Sequence, residues 1–257
     1  IDFVGHVSFD VGVRRAAEAG YSSIDHLDGF VESLVPGIGE MTEEQTGLFG
    51  MFIADQAQES KIPALMELLR ANNISVVPTQ SLAEKWFNPD YIPENFRNDQ
   101  HAVYISSAVT EQWVSTKKNL MANPNYDPMK MRKFIELRRK LIKACHDNGI
   151  RLLLGCDAPQ VFNVPGFSTH HELEYLVRSG LTPYQALQTG TVNVAAYLGL
   201  KNTGVIRTGA VADMILLNGN PLADIRQTMN VSGVMIGKNY LTKEYIETAL
   251  KKLTVKR

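Results

Sequence analysis

Apolar and polar positions along this chain follow the two periods of short buried strands and amphipathic helices. Residues 1–5 read as a short strand that ends at His6. Residues 11–19 place Val13, Ala16 and Ala17 on one helical face and stop at Gly20, and residues 21–25 read as a second short strand that ends at His26. Strand, helix and strand in that span predict a βαβ unit, whose right-handed crossover puts both strand ends on one edge of a parallel sheet. A helix is predicted over residues 42–59, opened by Thr42 and Gln45 in a capping-box pattern. Another is predicted over 62–71, followed by a third strand, 74–78, ending in Thr79 and Gln80. Residues 129–148 carry Phe134, Leu137, Leu141 and Ala144 on one face. Arg132, Lys133, Arg138, Arg139, Lys140 and Lys143 are assigned to a solvated outer face of that helix. His146 at its C-terminal end is explained by the helix dipole. After Gly149 comes the run Leu152, Leu153, Leu154, closed by Gly155, which predicts a strand over 150–159 covered on both faces, with Asp157 at its tip.

Two stretches break this alternation. Residues 27–61 include a Pro36-Gly37 loop, and residues 81–128 are polar and proline-interrupted yet hold Trp86, Phe87, Tyr91, Phe96, Tyr104 and Trp113. Such aromatic content serves either a wall around a substrate or a satellite core that anchors the insertion. His101 within it reads as a loop or surface histidine. Beyond Leu200 the pattern becomes short strands at 211–217 and 231–236, a turn at 237–239 and a helix over 244–253 with a basic tail. Asp213 reads as structural.

Charge and cysteine content narrow the partners. Lys plus Arg total 26 against 27 Asp plus Glu, a formal charge of −1, which leaves no basic field for nucleic acid. A small-molecule or dipeptide substrate is expected. Cys145 and Cys156 supply neither a disulfide framework nor a zinc-knuckle spacing, and Cys156 reads as a small buried residue. No apolar run approaches the ~18 residues of a membrane span. The opening at Ile1, without a cap or lead-in, reads as the middle of a fold, so an upstream half is expected and no compartment is assigned.

Taken alone, Asp157 reads as a cap on the segment that follows it. His6 and His26 at neighbouring tips change that reading, because parallel α/β sheets keep their chemistry at the C-terminal ends of their strands. His170 and His171 open a later helix, and only one of an adjacent pair can face the same mouth; by position this is His170, a candidate substrate contact.

At this point the chain resembles the amidohydrolase superfamily. The stretches that carry the resemblance are Ile24-Asp25-His26-Leu27-Asp28-Gly29, Gly180-Leu181-Thr182-Pro183-Tyr184-Gln185-Ala186-Leu187, the 191–200 segment, and Gly204 through Leu217 with Gly209-Ala210-Val211-Ala212-Asp213. It is closest to the imidazolonepropionase and Xaa-Pro dipeptidase-like branch. The resemblance implies an α/β fold of the (β/α)8 TIM-barrel type, of which this chain holds the C-terminal half, strands five to eight, plus returning strands of a small β-sandwich. Residues 1–202 then belong to the barrel, with insertions at 27–61 and 81–128, and residues 203–257 to the sandwich strands and terminal helix.

The same resemblance implies a metal-dependent hydrolase of a C–N bond in an amide, cyclic amide or dipeptide. His6, His26 and Asp157 match metal ligands, and Asp157 also matches the proton shuttle for a water activated on one or two divalent ions, zinc foremost. With a single ion, His26 would instead polarise the substrate carbonyl. A deaminase on the same scaffold and an inactive fragment or binding module are the alternatives, because the His-x-His of the family's first strand is absent from this sequence. Pairing with the missing N-terminal half, or homo-oligomerisation, is expected to complete the site and cover the open sheet edges.

Overall fold

The computed structural model describes residues 3–255. Ile1 and Asp2, the first two positions of the predicted opening strand, lie outside the described residues, as do the last two of the basic tail. Strand β1 (Phe3–Gly5), helix α1 (Gly12–Glu18) and strand β2 (Tyr21–Asp25) form the expected βαβ unit, and β1 runs parallel to β2 with Gly5 opposite Ile24. Strand β3 (Ser75–Val77) joins β2 in parallel, with Ile24 opposite Val76. Helices α2 (Phe30–Leu34), α3 (Glu43–Thr46) and α4 (Ile62–Ala71) lie between β2 and β3.

The predicted helix over 42–59 is cut to the single turn α3. Thr42 and Gln45 do form the capping box, but Gly47 at φ +67° stops the helix, and short 3-10 turns follow. The predicted strand over 150–159 is likewise reduced, to one parallel bridge between Leu152 and Val76. Val76 N–H donates to Arg151 O (2.9 Å) and Leu153 N–H to Val76 O (2.8 Å), so this segment extends the sheet beyond β3. On its other side Leu154 N–H donates to Thr189 O (3.1 Å) and Asn193 Nδ2 to Leu152 O (3.0 Å). Loop and helix groups thus take the hydrogen bonds that a longer strand would have made. Burial on both faces is as the apolar run predicts.

Helices α5 (Gln80–Trp86) and α6 (Ser107–Met121) give regular structure to the 81–128 stretch, and α7 (Pro128–Asp147) follows. Pro128 and the side chain of Asp127, which accepts from Met129 N–H (2.7 Å), start α7 one residue before the predicted boundary. The main core joins Ile24 and Val76 of the sheet to Ala16 and Ala17 of α1, Leu65 and Leu69 of α4, and Phe134 and Leu141 of α7. The aromatic stretch forms its own core, with Phe96, Trp113 and Phe162 in mutual ring contact alongside Leu82, Val114 and Val164.

Helices α8 (Phe167–Arg178), α9 (Pro183–Thr189) and α10 (Val192–Tyr197) lead to a second, antiparallel sheet of β4 (Met214–Leu217), β5 (Val231–Ile236) and β6 (Asn239–Thr242), closed by α11 (Lys243–Leu253). Strand β4 begins at Met214, three residues after the predicted start. Asp213, read as structural, accepts from Gly237 N–H (2.8 Å) at the β5–β6 turn, where φ is +58°.

Candidate active site

His6, His26, Thr79 and Asp157 follow the ends of β1, β2, β3 and the bridged segment, in spatial order along one edge of the parallel sheet. Three of them, His26 (φ +57°), Thr79 (φ +47°) and Asp157 (φ +55°), adopt the left-handed conformation. For non-glycine residues this costs of order 1 kcal/mol each, and such outliers cluster where a side chain must be aimed.

The two histidines come together. Their rings stack with centroids 4.5 Å apart and an interplanar angle of 29°. His6 Nδ1 is 2.9 Å from Asp28 Oδ2, which also accepts from Val7 N–H (2.9 Å). His26 Nδ1 is 2.7 Å from Thr79 Oγ1. Each ring therefore has its Nδ1 engaged and its Nε2 left for a ligand. His26 is held by further contacts: its N–H donates to Val77 O (2.9 Å), its carbonyl accepts from Arg138 Nη1 (2.7 Å), and its ring lies against Phe49. Burial, aided by the charges of His6 and Arg138, pushes the His26 pKa down to about 3, so the imidazole is neutral at pH 7.

Asp157 is coupled electrostatically to His6, and Asp25 to both. Partial burial raises the Asp157 carboxyl above the usual aspartate range, against the pull of His6. Asp25 is raised by burial too, with His6 opposing and Asp157 reinforcing the shift. A cavity of about 240 Å³ opens beside His6 and is lined in part by Asp28, Glu43 and Phe49.

The donor chemistry fits part of a metal site. Two imidazoles with Nδ1 fixed by a carboxylate and a hydroxyl, and a carboxylate at the next tip, are the kinds of ligand a zinc-class ion takes. His6, whose side chain is 70% exposed over an Asp28 that is 4% exposed, is open to such a ligand while its support is not. Among the described residues, however, no three His, Cys, Asp or Glu side chains are gathered closely enough to hold an ion by themselves. The chain presents two imidazoles together and a carboxylate nearby, short of the four ligands of a closed tetrahedral site.

His170 occupies different surroundings. Its Nδ1 is 3.0 Å from Thr228 Oγ1, in the turn that packs on α8, and its electrostatic neighbour is His101. His101 is a correction: the loop histidine is 9% exposed, stacked on Phe167 at 4.1 Å between centroids. Arg138 is a second correction, since this member of the charge run is 1% exposed. Its guanidinium donates to His26 O, Pro78 O (2.7 Å) and Gln80 Oε1 (3.0 Å), tying the ends of β2 and β3 together from α7. The signal was present in the helical spacing, because Arg138 lies four residues after Phe134 and three before Leu141, on the apolar face. Asp28 is close to His26 in sequence yet orients His6, 22 positions away, so no local pattern pairs this carboxylate with its imidazole.

The profile of the amidohydrolase family matches residues 36–239. An ochratoxinase from Aspergillus niger is 38% identical over 81 residues, covering 30% of this chain and 16% of that protein. An imidazolonepropionase from Deinococcus deserti is 36% identical over 89 residues, covering 34% of this chain and 22% of that protein. The structure of a bottromycin amidohydrolase aligns with a TM-score of 0.65 and 20% identity over 98% of this chain and 52% of that one, a likeness of fold. This chain therefore spans about half the length of that structural relative. With the profile covering well over half of the residues and the α/β arrangement shared, the chain belongs to the amidohydrolase family.

Proposed function

We propose that this chain contributes to a metal-dependent hydrolase that cleaves a C–N bond in an amide, cyclic amide or dipeptide. The observation that carries the reading is the pair of stacked imidazoles, His6 and His26, each with its Nδ1 tied and its Nε2 free, next to the carboxylate of Asp157. His6 and His26 would hold a divalent ion, with Asp157 at the same mouth. A zinc-class ion, when bound, would supply an activated water by bringing its pKa down to roughly 7, far below that of free water. Asp157 accepts the proton from that water at a carboxylate oxygen and delivers it to the departing nitrogen. With a single ion, His26 serves instead to polarise the carbonyl of the substrate, a role that suits a ring kept neutral by burial.

The remaining ligands come from outside the strands described, by pairing along the open edge of β1, where Phe3 is 60% and Val4 59% exposed. Residues 3–202 then form the barrel portion and β4 to β6 with α11 an appended sandwich portion.

The test is metal analysis of the purified protein together with turnover on a panel of dipeptides, N-acyl amino acids and aminated rings. Bound divalent metal, and a 10²- to 10⁴-fold loss of turnover in Asp157→Asn, are expected for loss of a general acid–base. Unchanged activity in Asp157→Asn from a metal-free protein would sink the reading. Ammonia as the product from an aminated ring would reassign the same groups to a deaminase.

A further inference from the structure

Three carboxylates, Asp28, Glu32 on α2 and Glu43 in the first turn of α3, line the cavity beside His6, and among the described residues no Lys or Arg lines it. Asp28 is buried. Its Oδ2 is taken by His6 Nδ1 and Val7 N–H, and its Oδ1 has no hydrogen-bond partner among the described residues. Glu32 is half-buried, and its Oε2 is buried without a partner as well. Neither Glu32 nor the exposed Glu43 forms an ion pair among the described residues.

The cations near this acidic wall do not neutralise it. Arg138 acts on Asp28 and Glu32 through its charge, but its guanidinium is given to His26 O, Pro78 O and Gln80 Oε1. Arg14 and Lys61 line a second cavity, of about 430 Å³, that shares Glu32 with the first; Arg14 pairs with Glu18 (3.6 Å), and Lys61 forms no ion pair with Glu32. Burial, reinforced by the charges of Asp28 and Glu43, accordingly lifts the Glu32 pKa to about 7. An unpaired carboxylate in such surroundings is stabilised by a cation brought to it, and a cleft lined by one sign of charge concentrates ligands of the other. His6 and Phe49, whose ring lies against His26, also line the cavity, so a ligand held at Glu32 sits next to the paired imidazoles.

We propose that this cavity is the cation pocket of the substrate: Glu32 takes a primary ammonium group, Asp28 and Glu43 add negative charge around it, and the scissile C–N bond lies toward His6 and His26. The inference rests on the hydrolase reading for the placement of that bond, and it narrows the substrates to amides that carry a primary ammonium, on the amino terminus or on a side chain. A dipeptide with a free amino terminus meets this requirement. An N-acyl amino acid without a basic side chain and a neutral cyclic amide do not. The volume of about 240 Å³ lies below the range of about 300 Å³ upward that whole drug-sized ligands occupy, as suits a pocket for one end of a molecule.

L-Alaninamide and Nα-acetyl-L-lysinamide are the probes for the two positions of the ammonium, and N-acetyl-L-alaninamide is the neutral counterpart. In calorimetric titration of the whole chain at pH 7 without added metal, at least one ammonium probe should saturate a single site, with the neutral amide at least tenfold weaker. The tighter of the two ammonium probes locates the charge on the substrate. Glu32→Gln should weaken that probe at least tenfold, whereas Glu67→Gln, at an exposed acid of α4 paired with Arg70, should leave it within twofold. If Glu32→Gln fails to fold, the ring resonances of Phe49 in the unaltered chain decide: the ammonium probe should shift them and the neutral amide should not. Absence of saturable binding by both ammonium probes, equal affinity for the neutral amide, or unchanged affinity in Glu32→Gln would overturn the proposal. Binding is read here without metal or turnover, so the two readings fail separately: ammonium binding without hydrolysis counts against the hydrolase alone, and hydrolysis of neutral amides without ammonium binding counts against the cation pocket alone.

Discussion

His6 and His26, from neighbouring strands, stack at 4.5 Å between ring centroids, each anchored through Nδ1 to a different partner, Asp28 and Thr79. Both partners are buried. The geometry of the two rings is therefore set by buried groups, as orienting partners of metal-binding imidazoles are.

Thr79→Val keeps the shape of the β3 tip and removes only the hydroxyl on His26. Zinc affinity of the protein, measured by competition with a chromogenic chelator, should fall 10- to 100-fold in this variant and in Asp28→Asn. Affinity equal to the unaltered protein in both would show that neither ring depends on its anchor.

Arg138→Met removes the guanidinium from three buried acceptors while filling much of its volume. Leaving His26 O, Pro78 O and Gln80 Oε1 without their donor should cost about 3 kcal/mol in urea unfolding. Arg138→Lys should recover little of this, because one ammonium cannot span three separated acceptors in the fixed fork of a guanidinium.

Glu172 is fully buried and its two carboxylate oxygens accept from Gln80 N–H (2.8 Å) and Ser81 N–H (2.6 Å) at the start of α5. Glu172→Ala leaves both donors unpaired and should destabilise the fold by about 2 to 4 kcal/mol. Arg138 bonds Gln80 and is electrostatically coupled to Glu172, so a double-mutant cycle should return a coupling of about 1 kcal/mol or more. Simple additivity would show that the two buried groups act independently.

Acid should loosen the fold through His171. Its pKa is near 6.5 in the unfolded chain and about 3 in the fold, so the unfolded chain takes up the proton first as the pH falls. The associated stability is present above pH 6.5 and lost progressively toward pH 3, about 1.5 kcal/mol of it between pH 6.5 and pH 5. Unfolding free energies at pH 7.5, 6.5 and 5 should fall less steeply for His171→Asn than for the unaltered chain. Parallel pH profiles would contradict this.

The strand tips were legible because each is local. A short strand ending in His6 or His26 needs only the strand–helix–strand alternation and the βαβ handedness rule to put both imidazoles on one edge. Asp157 was placed on the same grounds, even though its strand is no more than a bridge at Leu152. The helix over 42–59 failed for a local reason too, since Gly47 and Gly50 sit at φ +67° and +72° inside a stretch whose cap and composition otherwise favour helix. The burial of His101 was not legible. Its stacking partner Phe167 comes from α8, 66 positions later in the chain.

Local patterning by itself determined the order of strands and helices, the shared edge on which His6, His26 and Asp157 emerge, and the kinship seen in the closing segments. Tertiary structure alone decided which charged groups are buried. Arg138 is interior because its acceptors arrive from 58, 60 and 112 positions away, and Lys85 because Phe162, Ser168 and His171 close over it from 77, 83 and 86 away. A charged side chain can be buried only where such distant partners converge, and that convergence is a property of the fold, not of any window of the sequence.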